Sequence, residues 1–461
     1  MHKFLVPFPL LAILLLPYAR LGAQEIDLHL KKEEIAVQVC LTERKPKIHF
    51  PKSALRFLQV EPSTSPNCLN YRYSYREALK KDRKWIQKQG QSYLSRMDYW
   101  LFAATNANSK DINLHLSHPP EWQYSVPWPR SKIKGTYKPQ PRNFDWPGII
   151  AFGQLQQEQL SFGPHRFDLS YTAAIPQSKR IALKPWLERA LGSLSHRFGA
   201  LASKSTQVTI RSSRGNEAVP FGQVLRGGGG SLHFYINHRY PVKQFLDDWT
   251  AYHEVSHLLL PFINRSDAWV SEGFASYWQY LLMVDSGQIE AKEFWRRFYN
   301  GIRRGEKSWR RTKHLSLNEA TESMFSLGAV RRAYWSGAVV FFNLDFALRA
   351  RRDAGPRSLE AVITAFNETI TDKNDSVWIR SWSAKDLSLA LDKASQSNLF
   401  SRAFQAAGQA KEFPNYKDNF LALGIIPEGD SLKFANKPND LRLAFTDKMH
   451  GMTGKKNNGR P

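Results

Sequence analysis

Apolar and polar residues alternate in three stretches of the first part of the chain: Ala36-Val37-Gln38-Val39, Asp111-Ile112-Asn113-Leu114-His115-Leu116 and Phe167-Asp168-Leu169-Ser170-Tyr171. A period of two sends every second side chain to one face, so these stretches read as half-buried strands separated by Pro-rich turns. They predict a β-rich domain over 24–180. Within it, residues 74–94 are polar and basic and read as a helix or an exposed excursion, and the Pro-rich run from Pro119 to Pro147 reads as an irregular crossover. From Leu183 to Phe198 the period lengthens to that of a helix, before Thr206–Ile210 and the alternating Leu232, Phe234 and Ile236 predict two more strands.

Two helical patterns follow. In the first, Phe245, Trp249, Tyr252, Val255 and Leu259 recur at steps of three and four, Asp247 and Asp248 lie near the start, and Pro261 ends it. The second starts near Ser266 or Asp267, carries Trp269, Phe274, Trp278, Leu281 and Leu282 on one face and stops at Ser286-Gly287. Residues 346–425 are helical, with turns near Gly355-Pro356 and Gly408, and the polar tail from Gly451 has too little to bury and is expected to be disordered. The expected fold class is α+β, divided as an N-terminal leader (1–23), a β-rich domain (24–180), a mixed domain (181–345), a helical region (346–450) and a tail (451–461).

A chain of 461 residues has room for two or three cored domains. Lys3, the apolar run Phe4–Leu16 and the small residues Gly22-Ala23 read as a secretory signal peptide cleaved after Ala23, with an uncleaved anchor as the alternative. Pro7, Pro9 and Pro17 interrupt the run, and no other stretch is apolar enough to span a bilayer. The expected location is the periplasm or the extracellular medium. In such a compartment Cys40 and Cys68, the only cysteines, read as a disulfide, with two buried thiols as the competing account. Net charge is +24, concentrated where Arg296, Arg297, Arg303, Arg304, Lys307, Arg310, Arg311 and Lys313 interleave with Trp295, Phe298, Tyr299 and Trp309. Such interleaving can bind single-stranded nucleic acid, but an exported protein seldom meets it and none is expected as a partner. An anionic envelope surface, acidic substrates and a plainly solvated helix face remain open.

Chemistry is concentrated in His253-Glu254-Val255-Ser256-His257 and Trp269-Val270-Ser271-Glu272-Gly273-Phe274-Ala275. A helix puts i and i+4 on one face, so His253 and His257 can offer nitrogen to one metal ion while Glu254, about 100° around the axis, flanks it. With Glu272 the set has three ligands. Zinc held by three protein groups keeps a fourth position for water, lowers that water's pKa and needs a carboxylate beside it to take the proton. Glu254 is placed for that, and Asp267 is the alternative third ligand. Gly227, Gly228, Gly229 and Gly230 lack the Lys-Ser/Thr of a phosphate loop and suit an edge strand that a substrate backbone can approach.

Trp-Val-Ser-Glu-Gly-Phe following HExxH resembles the gluzincin zinc peptidases, whose members include thermolysin, the alanyl aminopeptidases and, with the most similar wording, the glycyl aminopeptidases. The resemblance implies a thermolysin-like catalytic domain over 181–345, zinc (Zn2+) on His253, His257 and Glu272, Glu254 as general base, and peptide or protein substrates. It also implies an oxyanion-binding tyrosine in a Tyr-x-x-Gly setting, here Tyr334 before Gly337. A neutral phenol aimed at the oxygen that gains charge stabilises the transition state more than the ground state. Two departures stand out. Only residues 258–271 separate His257 from Glu272, a shorter link than the aminopeptidases have, and the Arg226–Tyr235 stretch lacks the glutamate that binds a free amino group in those enzymes. The reading is an exported zinc peptidase without strict aminopeptidase specificity, and the alternative is a catalytically silent binding protein of the same fold that holds an anionic envelope component.

Overall fold

The computed structural model describes residues 24–107, 112–139, 146–199, 205–371 and 380–446. The leader and the tail from Gly451 lie outside the described residues.

The alternating stretches do form strands. β1 (Gln24–Leu30), β2 (Ile35–Leu41), β3 (Leu58–Glu61) and β4 (Cys68–Tyr73) precede a short helix, α1 (Tyr75–Lys81). Then come β5 (Ile86–Gln89), β6 (Ser92–Arg96), β7 (Ile112–Ser117), β8 (Gln123–Ser125), β9 (Thr136–Tyr137) and β10 (Ile149–Gly153). They build a six-stranded sheet ordered β3-β4-β2-β1-β7-β9 and a four-stranded sheet ordered β5-β6-β10-β8. Ile26, Leu28, Val37 and Val39 from the first join Ile86, Ile150 and Phe152 from the second in one core with Trp100 and Tyr73. Residues 74–94, expected as a helix or an excursion, are the α1–β5–β6 corner of this sandwich. Cys40 and Cys68 face each other across β2 and β4 and form the disulfide.

β11 (Leu155–Phe162) and β12 (His165–Thr172) form a hairpin that does not join those sheets. After α2 (Gln177–Phe198), β13 (Ser205–Ser212) pairs in parallel with β12 and with β15 (Ser231–Ile236), while β14 (Phe221–Leu225) lies antiparallel on β15 at the edge. The sheet order is β11-β12-β13-β15-β14. Sheet pairing therefore takes residues 155–172 across the boundary expected at 180. Gly227–Gly230, expected in an edge strand, instead form the link between β14 and β15. A side chain on Gly227 would strike the Trp146 carbonyl at 2.4 Å, and one on Gly228, which has φ +102°, would strike the Trp128 ring at 2.3 Å. The tetrad lets the sandwich press on this turn, and the edge strand is 221–225.

The first helical pattern breaks in two. α3 (Val242–Leu246) ends before Asp248, whose carboxylate accepts from the Thr250 N–H at 2.7 Å and starts α4 (Thr250–Ser256), continued by a 3-10 turn to Leu259. Phe245, Tyr252, Val255 and Leu259 are buried as the period requires, but Trp249, at the restart, is 40% exposed. α5 (Ala268–Asp285) has the expected bounds, and Glu272 falls in its second turn. α6 (Ala291–Thr312), α7 (Leu317–Glu322) and α8 (Val330–Ala350) pack on it, followed by α9 (Leu359–Thr371), α10 (Ala384–Ser395), α11 (Leu399–Gln409) and α12 (Lys417–Ala422). A hairpin of β16 (Ile425–Glu428) and β17 (Ser431–Phe434), then α13 (Asp440–Thr446), complete the described chain. One core runs from Leu160 to Phe445, so the mixed and helical regions fold as one body. No helix among the described residues is long and apolar enough to cross a membrane.

On α6 the interleaved residues separate by face. Trp295, Phe298 and Tyr299 are buried while Arg296, Arg304, Lys307, Arg310 and Arg311 are exposed. Those three rings pack into the core, Trp309 is half-buried with its Nε1–H on the Lys411 carbonyl, and the outer face is basic and solvated. Deeper in, Arg197 at the end of α2 pairs with Asp285 of α5 at 2.8 Å, and Arg349 of α8 pairs with Asp345 and with Glu360 of α9. These buried pairs tie four helices together.

The disulfide closes its loop within one sheet, so its loss is expected to act on the sandwich. Replacing both Cys40 and Cys68 by Ser should lower unfolding free energy by about 2–4 kcal/mol, measured by urea denaturation against the oxidised parent.

Candidate metal centre

The two histidines keep their helical spacing because His257, just past α4, retains right-handed helical dihedrals (φ −62°, ψ −20°). Both rings turn Nε2 toward Glu272, at 3.2 Å from His253 and 3.7 Å from His257. Donors about 2.0–2.1 Å from a common tetrahedral centre lie roughly 3.3–3.4 Å apart, so the three side chains are already spaced as ligands of one ion. Among the described residues, His253, His257 and Glu272 are the group whose donor atoms can meet in this way, all within 4.8 Å of one another. Asp267, the alternative third ligand, is elsewhere: its carboxylate accepts from the Ala384 N–H at 2.8 Å and pins α10 to the start of α5.

The opposite ring nitrogens are also engaged. His253 Nδ1 lies 2.9 Å from Gln279 Oε1, and His257 Nδ1 lies 3.1 Å from Ser271 Oγ. An acceptor at Nδ1 fixes the tautomer that leaves Nε2 free for a metal. Neither partner was read from the sequence, though Gln279 is seven residues, two turns, beyond Glu272 and therefore on the same face of α5.

Burial and local charge set the protonation states. Desolvation pushes His257 down to about 3 despite the neighbouring Glu272 carboxylate. Burial, the largest single influence, would lower His253 too, but the hydrogen bond and charge of Glu272, the charge of Glu254 and the Gln279 bond together raise it. Glu272 is pulled down to about 2, against its own burial, by both imidazoles and Tyr334. Glu254 is pushed up to about 7 by burial, which His253 opposes and Glu272 reinforces. A carboxyl poised near neutrality can both accept and return a proton.

Tyr334 enters from α8. Its ring stacks on His253, with centroids 5.8 Å apart and planes 9° apart, and its hydroxyl is within hydrogen-bonding reach of Glu272. Burial first, then the charges of Glu272 and Glu254, raise its pKa and keep it a neutral donor. Two glycines allow this approach. A Cβ on Gly273 would meet Gly337 Cα at 2.4 Å, and one on Gly337 would meet the Trp269 carbonyl at 2.1 Å. The Gly of Tyr-x-x-Gly is thus the point where α8 touches α5.

The edge strand runs past the base. A Cβ at Gly222 would lie 2.5 Å from Glu254 Cγ, so β14 packs directly on the glutamate side chain. β14 itself, Phe221-Gly222-Gln223-Val224-Leu225, contains no acid. Arg226 follows it and donates from Nη2 to the carbonyls of His257 and Leu260. Burial pushes its guanidinium down to about 10, still charged at neutral pH. The sequence reading gave roles to neither Gly222 nor Arg226.

With this geometry in view, the similarities to known proteins take on meaning. Residues 262–338, a span holding Glu272 and Tyr334 but beginning after His257, match the family model of M61 glycyl aminopeptidase. No curated protein matches the chain. Among solved structures, an aminopeptidase N family protein from Idiomarina loihiensis is similar with TM-score 0.63 at 14% identity, covering 87% of this chain and 78% of that one. Native yeast LTA4 hydrolase is similar with TM-score 0.51 at 10% identity, covering 86% and 68%. The same yeast protein in complex with Bestatin gives 0.51 at 11%, covering 88% and 71%. The fold is that of the aminopeptidase N-like proteins, and the resemblance to the gluzincin metallopeptidases, closest to the aminopeptidases, is borne out.

Removing the acceptor at His253 Nδ1 should weaken the metal site without unfolding it. Gln279→Ala is expected to lower zinc affinity about 10–100-fold, read by chelator competition with circular dichroism unchanged. Gly337→Ala should cost about 1–3 kcal/mol of stability through overpacking, visible as a lower Tm; an unchanged Tm would mean the α5–α8 contact is looser than described.

Proposed function

We propose that the chain is an exported zinc-dependent peptidase in which His253, His257 and Glu272 hold the metal, Glu254 is the general base and Tyr334 the oxyanion donor. The observation that carries this reading is the convergence of three spaced donors, each imidazole oriented at Nδ1, with a buried carboxyl near neutrality and a neutral phenol beside them. Zinc, when bound, lowers the pKa of a coordinated water and polarises the scissile carbonyl. Glu254 takes the proton of the attacking water on its carboxylate and returns it to the leaving amine nitrogen. Tyr334 donates its phenolic hydrogen bond to the oxygen that gains negative charge, and the burial of its surroundings strengthens that bond.

The substrate lies along the free edge of β14, where main-chain hydrogen bonds extend the sheet by one strand and Gly222 keeps the strand close to Glu254. The absence of an acid on β14 supports cleavage that does not depend on a free amino terminus. The exposed basic face of α6 supports a second, weaker contact with an anionic envelope surface.

Glu254→Gln should abolish hydrolysis while zinc stoichiometry stays at that of the parent, and His257→Ala should lose the metal; a metal-replete Glu254→Gln protein that still cleaves peptides would overturn the assignment. Tyr334→Phe is expected to lower kcat about 10²–10³-fold with KM little changed. On a mixed peptide library the parent should cut N-acetylated members as readily as free ones, with Glu254→Gln as the blank. Cuts confined to free amino termini would make it an aminopeptidase, and zinc binding with no cuts would favour the silent binding protein.

A further inference from the structure

The strand that passes Glu254 ends at a guanidinium without a carboxylate. Arg226 Nη2 donates to the His257 carbonyl at 2.6 Å and the Leu260 carbonyl at 2.7 Å, which fixes the side chain against the turn that ends the metal-site helix. No ion pair involving Arg226 occurs among the described residues, and its Nε and Nη1 have no protein partner there. Other arginines of the interior are met by carboxylates, carbonyls or rings, Arg211 by Gln87 and the face of Tyr235 and Arg442 by the Gly424 carbonyl. Arg197 has Asp285 and Glu360, Arg349 has Asp345 and Glu360, and Arg332 spends both terminal nitrogens on Thr312, Leu315 and Lys411.

Arg226 is partly buried, and a guanidinium that has given up part of its water gains from an anion that replaces the rest. Two carbonyls satisfy one of its three nitrogens. Nε and Nη1 are therefore open to water beside the place where the proposed substrate lies, and a carboxylate can take that water's place. Capping the carbonyls at the end of the α4 turn accounts for Nη2 but leaves Nε and Nη1 without a purpose.

We propose that Arg226 is a specificity-determining residue that receives a carboxylate of the peptide laid along β14, the side chain of an aspartate or glutamate, and that its charge disfavours a free α-ammonium at that end of the cleft. This rests on the peptidase reading of the same site. Distance limits which substrate residue reaches it. Arg226 lies four positions beyond Gly222, which packs on Glu254, and strands rise about 3.3 Å per residue, so the acidic residue falls within about two to four positions of the scissile bond. A charge-assisted bond to guanidinium in a partly desolvated site is stronger than a neutral one and has directional donors. The same charge explains, without a missing part, why no glutamate stands on β14. An enzyme that selects acidic residues there has no use for an amine-binding acid.

The test uses the metal-replete Glu254→Gln protein, in which binding is read without turnover. N-acetylated peptides carrying Glu at successive positions are compared with their Gln isosteres by calorimetry at low and high salt. One Glu position is expected to bind about tenfold tighter than its Gln counterpart, with the difference shrinking in salt, lost in Arg226→Gln and largely kept in Arg226→Lys. The lysine variant also guards against misfolding, since it keeps a donor near the His257 and Leu260 carbonyls; Tm and zinc content report that the fold holds. Equal affinity for Glu and Gln peptides, or a preference that survives Arg226→Gln, would overturn the proposal. Parent enzyme turning over peptides with no acid preference sinks Arg226 alone. A Glu preference that depends on Arg226 in a parent that cleaves nothing upholds Arg226 and sinks the peptidase reading.

Discussion

The site depends on one steric constraint, the contact of α5 with α8 through Gly273 and Gly337. At that crossing the two backbones come so close that a methyl group on either glycine would overlap the other helix by more than an ångström of ordinary contact distance. Everything chemical on these helices is placed by it. Glu272 immediately precedes Gly273, and Tyr334 lies one turn before Gly337, so closing the gap brings carboxylate and phenol into reach of one another. With a larger residue at either point, Tyr334 would stand back from the metal site by about the width of a methyl group.

Around that contact, the polar groups are arranged so that each orients the next. α4 brings the imidazoles, Glu272 meets their Nε2 atoms, and Gln279 and Ser271 hold the Nδ1 atoms from the same helix that supplies the carboxylate. α5 thus contributes Glu272 and both groups that meet the Nδ1 atoms. Its own position is held at three places: Asp267 to Ala384 and Trp269 to Asn318 at the start, and the Arg197–Asp285 pair at the end. The continuous core from Leu160 to Phe445 lends the rigidity that such spacing needs. The helical C-terminal region is therefore part of the support of the metal site rather than an appendage.

On the opposite wall, the sandwich shapes the cleft through the turn after β14. Gly227, Gly228 and Gly229 admit Trp146, Pro147, Trp128 and Pro127 at distances no side chain allows, and this seats the end of β14 and Arg226 against the turn after α4. The glycine run holds the neighbouring strand in place, and that strand is the acid-free 221–225.

Much of this was legible along the chain. Period two over 24–180 gave strands, and steps of three and four gave α2, α5 and the buried face of α4, because burial on one face leaves its mark on each element separately. His253, Glu254, His257 and Glu272 were legible for a related reason: metal ligation by one helix face requires residues at fixed offsets, and fixed offsets are a property of sequence. Tyr334 needed the family resemblance, since nothing in its own helix distinguishes a donor from a core tyrosine. Trp249 was misplaced because a helix restart at Asp248 is a hydrogen-bonding event that the apolar period does not register. Gln279, Gly222 and Arg226 escaped because their roles exist only across elements. The sequence by itself determined which residue types carry the chemistry and on which helices they stand. Only the tertiary structure decided which strand faces Glu254, which glycines mark helix contact rather than strand flexibility, and which arginine meets the turn that ends the metal-site helix, because these are matters of distance between segments far apart in the chain, and local periodicity carries no record of them.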